Sequence, residues 1–124
     1  MDDEDCVRGV ISQMLERLGY DVKVACDGSE AVSVFARAHR EGRPFAVAIL
    51  DLSVPGGLGG TATLTALQQI DPHVRAVAST GYVFDEIGND LRSQGFSAVL
   101  VKPYSMEELA AVTARLAGMP RGGG

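Results

Sequence analysis

Between residues 5 and 18 the apolar positions Val7, Val10, Ile11, Met14, Leu15 and Leu18 recur at steps of three and four, and Gly19 follows where a helix commonly stops. The spacing predicts an amphipathic helix. Residues 21–25 place Lys23 between Val22 and Val24, the alternation of a short strand in a half-covered sheet. After the turn Asp27-Gly28, Ser29 is placed to cap a helix whose apolar face is Ala31, Val34, Phe35 and Ala38, and which ends near Gly42. Pro44 bars its continuation. Residues 45–50 form an almost unbroken apolar run, too short for a buried helix and suited to a parallel strand covered on both faces. The run stops at Asp51.

Residues 53–60 are a Pro- and Gly-rich loop, and Leu64, Leu67 and Ile70 then share one side of a helix. Residues 74–79 predict the next strand, 84–94 the next helix and 97–101 the last strand. Ser105 with Glu108 three positions later is a capping box, opening a helix that buries Leu109, Val112 and Leu116. The pattern gives one domain over residues 1–118 and a flexible tail over 119–124. Strands alternating with helices imply right-handed crossovers, hence an α/β fold with an open, doubly wound parallel sheet. Sites in such sheets lie at the carboxyl ends of the strands.

Composition narrows the function classes. With 46% hydrophobic and 22% charged residues the chain has the makeup of a globular domain, and no apolar run reaches the roughly 20 residues that span a bilayer. No membrane insertion is expected, and the acidic Met1-Asp2-Asp3-Glu4-Asp5 start is unlike a secretory signal, which points to the cytoplasm. A net charge of −5 argues against nucleic-acid binding. Cys6 and Cys26 lack a CxxC spacing and read as buried, reduced thiols, while His39 and His73 are isolated and read as surface positions.

The strand-end rule singles out Asp51, Thr80 and Lys102, each at or just past the end of an apolar strand. Any one of them alone reads as a turn or surface residue. Together they supply a carboxylate able to take a phosphoryl group, a hydroxyl donor and a mobile ammonium for its oxygens. The charge repulsion in that step calls for a divalent cation, and Mg²⁺ needs only a few oxygen ligands. Asp2, Asp3 and Asp51, with the backbone carbonyl of Ser53, can provide them.

These motifs resemble the receiver domains of response regulators, with their CheY-like, flavodoxin-like fold, from residue 2 to about 116. Asp2-Asp3-Glu4 matches the family's acidic metal pair, Ile49-Leu50-Asp51 its phosphoacceptor, Ser79-Thr80-Gly81 its switch hydroxyl and Lys102-Pro103-Tyr104 its lysine and proline. The resemblance implies a Mg²⁺-dependent phosphorelay module rather than an enzyme, phosphorylated on Asp51 by a histidine kinase or histidine phosphotransfer domain. It also implies a cis Lys102-Pro103 peptide. Ser79-Thr80-Gly81-Tyr82 and residues 95–104 look most like receivers of hybrid histidine kinases.

Three features depart from the family pattern. The loop 54–60 is one residue longer than the common form, and Val99 stands where the family usually has an aromatic switch residue, three before the lysine. Plain packing is the expected role of Tyr82 and Tyr104. Most consequentially, only Met1 remains of the family's first strand, which belongs in the middle of the sheet order 2-1-3-4-5. Its loss predicts a gap between residues 21–25 and 45–50, poor anchoring of Asp2 and Asp3, and weaker Mg²⁺ binding. The remedies are a longer chain start, a closed-up sheet, or a homodimer or intertwined dimer that lends a segment.

Two other functions compete. A degenerate receiver would act as a phosphorylation-independent binding module. An aspartyl-phosphate phosphohydrolase would use the same nucleophile, but wants an acid two residues on, where Ser53 stands. The glycines at 56–60 lack the spacing and the Lys-Ser/Thr of a nucleotide loop.

Overall fold

The computed structural model describes residues 1–2, 5–52, 60–81, 91–102 and 104–117. The expected helix over 84–94 therefore falls mainly outside the described residues, with 91–94 helical. Asp3, Ser53, Tyr82, Pro103 and residues 118–124 also lie outside them, as does the side chain of Cys6.

The elements in chain order are α1 (Asp5–Arg17), α2 (Gly28–Arg40), β1 (Ala48–Asp51), α3 (Gly60–Ile70), β2 (Ala76–Thr80), β3 (Ala98–Val101) and α4 (Met106–Ala117). The three strands form one parallel sheet in the order β1-β2-β3. Every residue of β2 is buried, as expected of the central strand, and alternate side chains feed two cores. On one face Leu50, Ala76 and Ala78 pack with Phe35, Leu64, Leu67 and Phe96. On the other Val77, Ala98 and Leu100 pack with Leu109 and Leu116, flanked by Ile11 and Leu15 of α1. Burial of leucines such as Leu64, Leu67 and Leu109 contributes roughly 1.5–3 kcal/mol each. The doubly wound parallel arrangement expected from the sequence is present.

Local signals act as read at several helix ends. The Ser105–Glu108 box is formed, with the Glu108 N–H donating to Ser105 Oγ at 3.1 Å and the Ser105 N–H to Glu108 Oε1 at 3.4 Å. Gly19 and Gly42 take φ of 93° and 76° just past α1 and α2, a region that favours glycine. The cap of α2 differs from expectation. Asp27, not Ser29, accepts from the Glu30 N–H at 2.9 Å, so the helix starts earlier.

Two further expectations are corrected. Residues 21–25 are not a strand: the backbone bond found there is Asp2 N–H to Ala25 O at 3.1 Å, and Val24 is 47% exposed. A strand needs a partner along its length, and among the described residues the neighbouring position holds Met1 and Asp2. Cys26 is an exposed free thiol rather than a buried one, because the turn before Asp27 carries it outward. It donates to Glu30 Oε2 at 3.0 Å, and that bond raises its pKa, making it a poor nucleophile. His73 is exposed and His39 half-buried. Among the described residues no helix is long and apolar enough to cross a membrane.

Candidate functional site

Parallel register aligns the strand ends. Asp51 pairs with Ser79, and Thr80 with Val101, so Asp51, Thr80 and Lys102 reach the same edge of the sheet. The Leu52 N–H donates to Ser79 O at 3.0 Å and the Lys102 N–H to Thr80 O at 2.7 Å, extending the ladder to these positions. Asp51 is 1% exposed and Thr80 9%.

Asp2 reaches the same edge from a different direction. Its N–H donates to Ala25 O, the carbonyl of Met1 accepts from the Asp51 N–H at 2.9 Å, and the Met1 ammonium donates to Ile49 O at 2.7 Å. Arg8 Nη1 in turn donates to the Asp2 carbonyl at 2.7 Å. Asp2 is thus held and only 3% exposed, which corrects the expectation that it would be poorly anchored: two residues suffice to catch the edge of β1.

Lys102 joins the two carboxylates. Its Nζ lies 2.9 Å from Asp2 Oδ2 and 3.4 Å from Asp51 Oδ2. Partial burial works against the ammonium, but the bond to Asp2 and the charges of Asp51 and Asp2 outweigh it, and the pKa of Lys102 is raised. For the Met1 ammonium burial wins over the attraction of Asp2 and Asp51, and its pKa is lowered.

The sequence did not reveal the part played by Met1 and Arg8, whose contacts are made to backbone atoms of other residues, which carry no residue signal. It also assigned Tyr104 to packing alone. The Tyr104 hydroxyl and Ser79 Oγ lie 3.5 Å apart, beside Asp51 in the register, and burial raises the Tyr104 pKa despite that contact. Val99 packs against the α2–α3 side of the sheet.

Two carboxylates that share one ammonium converge on a point where a cation is favoured, and their hard oxygens suit Mg²⁺. Among the described residues no group of three His, Cys, Asp or Glu side chains is assembled. Asp3 and Ser53, the other expected ligands, lie outside those residues.

A profile of the response regulator receiver domain matches residues 1–114. The chain belongs to this family. Receiver domains accept phosphoryl groups on an aspartate and are not enzymes in the ordinary sense. Among curated relatives, a probable transcriptional regulator ycf27 of Porphyridium aerugineum is 32% identical over 112 residues, covering 90% of this chain and 43% of that protein. The chain spans less than half the length of the regulator it matches there. The chemotaxis protein CheY4 of Vibrio cholerae superposes with a TM-score of 0.80 at 26% identity, covering 93% of this chain and 92% of CheY4. The receiver domain of sensor histidine kinase PA1611 from Pseudomonas aeruginosa, solved with magnesium in its active-site cleft, superposes at 0.82. It is 24% identical, covering 96% of this chain and 94% of that one.

Proposed function

We propose that Asp51 accepts a phosphoryl group from a phosphohistidine on a histidine kinase or histidine phosphotransfer protein. What carries the reading is the pair of buried carboxylates, Asp2 and Asp51, bridged by Lys102 at the carboxyl edge of the sheet. In the transfer a carboxylate oxygen of Asp51 bonds to phosphorus as the phosphorus–nitrogen bond breaks. The electron pair of that bond stays on the imidazole nitrogen.

Lys102 neutralises Asp51 before the reaction and a phosphoryl oxygen after it, and the Thr80 hydroxyl donates to a second oxygen. Asp2, Asp3, Asp51 and the carbonyl of Ser53 would hold Mg²⁺, which when bound offsets the charge of the phosphoryl oxygens. The magnesium in the PA1611 receiver supports that part of the reading. The segments 79–82 and 95–104 support placement of the domain with receivers of hybrid histidine kinases.

The test is incubation with acetyl phosphate and Mg²⁺ followed by intact-mass measurement. Wild type should gain one phosphoryl group and Asp51→Asn none. An unmodified wild type would sink the proposal in favour of a phosphorylation-independent binding module, and turnover of a generic phosphoester would favour a phosphohydrolase.

A further inference from the structure

The amino edge of the sheet, opposite the phosphoacceptor site, gathers positive charge. Arg75 stands immediately before β2 and Ser97 immediately before β3, while α4 starts near Lys102 and runs back past Leu109 to Arg115 and Leu116. These segments meet. Arg75, Arg92 and Arg115 line one open depression of about 540 Å³, together with Phe96, Ser97 and Leu116. The length of β2 separates it from Thr80, roughly 16 Å at the rise of a strand. It is therefore a place distinct from Asp51 and Lys102.

Two of the three arginines have an ordinary reason to be there. Arg115 is in the last turn of α4 and Arg92 lies in the helical residues 91–94, and the negative end of a helix favours a cation. Arg75 has no helix end beside it in sequence to account for its place. It opens the central strand and is only 9% exposed, although arginine is mostly a surface residue. Asp71, four residues before it, accepts from the His73 N–H at 3.0 Å and does not line the depression. Among the described residues no Asp or Glu lines it, so three guanidiniums border one space in a chain whose net charge is −5.

The chemistry of a matching ligand follows from these donors. A carboxylate is satisfied by one guanidinium in a two-pronged contact, and its single charge would leave two cations over. A phosphate group brings nearly two charges and three strong acceptor oxygens, enough to engage all three arginines, with the Ser97 hydroxyl as a further donor. Phe96 and Leu116, each 3% exposed and each packed in a different core, give the depression a fixed apolar floor. Its volume is that of a small-molecule site.

We propose that Arg75, Arg92 and Arg115 bind the phosphate group of a small molecule at the amino edge of the sheet. Arg75, held at the start of the central strand, is the fixed anchor, and the exposed Arg92 and Arg115 supply the adjustable part of the clamp. The site stands apart from phosphoryl transfer to Asp51.

The probe is pyrophosphate, titrated without Mg²⁺ into isotopically labelled protein, with sodium chloride at matched ionic strength as the blank. Amide resonances of Ala76, Phe96 and Ser97 should move and saturate while those of Thr80 and Lys102 stay in place. Arg92→Gln and Arg115→Gln should each weaken the affinity about tenfold and leave acetyl phosphate labelling of Asp51 unchanged. Arg75→Lys, which keeps the charge and loses the fork, should weaken it as well. The two exposed variants carry the test whether or not the buried position tolerates its change. Shifts confined to Thr80 and Lys102, an equal response to chloride, or unchanged affinity in both exposed variants would each overturn the proposal. An oligoglutamate peptide that moves the same amides at lower concentration than pyrophosphate would overturn it too, in favour of a docking face for an acidic protein segment.

Discussion

Lys102 donates to Asp2 across 100 residues of sequence, with Nζ and Oδ2 2.9 Å apart. The contact closes the sheet edge from both ends of the chain, since Lys102 follows β3 and Asp2 is held by the edge of β1 and by Ala25. It also leaves two carboxylates facing one cation, a geometry in which charge balance is sensitive to any single change.

Replacing that cation exposes the balance. Lys102→Met leaves Asp2 and Asp51 buried side by side without their shared ammonium, and at pH 7 this should lower stability by about 1–3 kcal/mol. Lys102→Arg keeps the positive charge and should recover part of that loss. Urea unfolding of the three proteins at pH 7 checks this. Equal deficits for the Met and Arg variants would assign Lys102 a packing role.

Alkaline pH tests the opposite edge of the same balance. The pKa values of Tyr104 and Lys102 are raised in the fold above their ordinary 10.0 and 10.5. Between the ordinary and the raised value the folded state holds a proton that the unfolded state has lost, so stability falls as pH climbs through that window. Denaturation midpoints should be flat below about pH 10 on this account and decline above it, with Tyr104→Phe removing part of the decline. An ultraviolet titration in which all three tyrosines ionise together at the free value would contradict it.

A helix cap far from the site offers a contrast. Asp27→Ala removes the acceptor for the Glu30 N–H and should cost about 1 kcal/mol, read by thermal or urea unfolding. Because α2 contributes no site residue, acetyl phosphate labelling of the folded protein should be unchanged. A matching loss of labelling would mean that α2 positions the site.

The sequence exposes some of these features and hides others for identifiable reasons. Asp51, Thr80 and Lys102 were legible because each ends an apolar run, and strand ends in a parallel sheet converge whatever the details of the loops. Asp27 and Ser29 are both competent caps, and only the backbone path decides between them. The Val-rich residues 21–25 have strand composition, yet pairing is a property of neighbours, and the backbone bond found there is that of Asp2 to Ala25. The Ser79–Tyr104 contact spans 25 residues and leaves no local pattern at all. Composition put Cys26 inside, but its place beside a helix cap put it outside.

Gly60 supplies the last prediction, because it shows how closely α3 approaches the site. A Cβ at this buried position would lie 2.6 Å from Leu52 Cδ2 and 2.9 Å from the carbonyl oxygen of Asp51. The Leu52 side chain can rotate away, whereas the Asp51 carbonyl belongs to the end of β1 and cannot yield without moving Asp51. Gly60→Ala should therefore destabilise by about 1–3 kcal/mol despite the better helix propensity of alanine. Displacement of Asp51 from Lys102 should also slow acetyl phosphate labelling by about tenfold. Gly9, exposed on α1 with nothing within 4 Å of its Cβ position, is the control: Gly9→Ala should stabilise by about 0.5–1 kcal/mol and leave labelling unchanged. If the two substitutions behave alike in unfolding and labelling, the approach of α3 does not constrain Asp51.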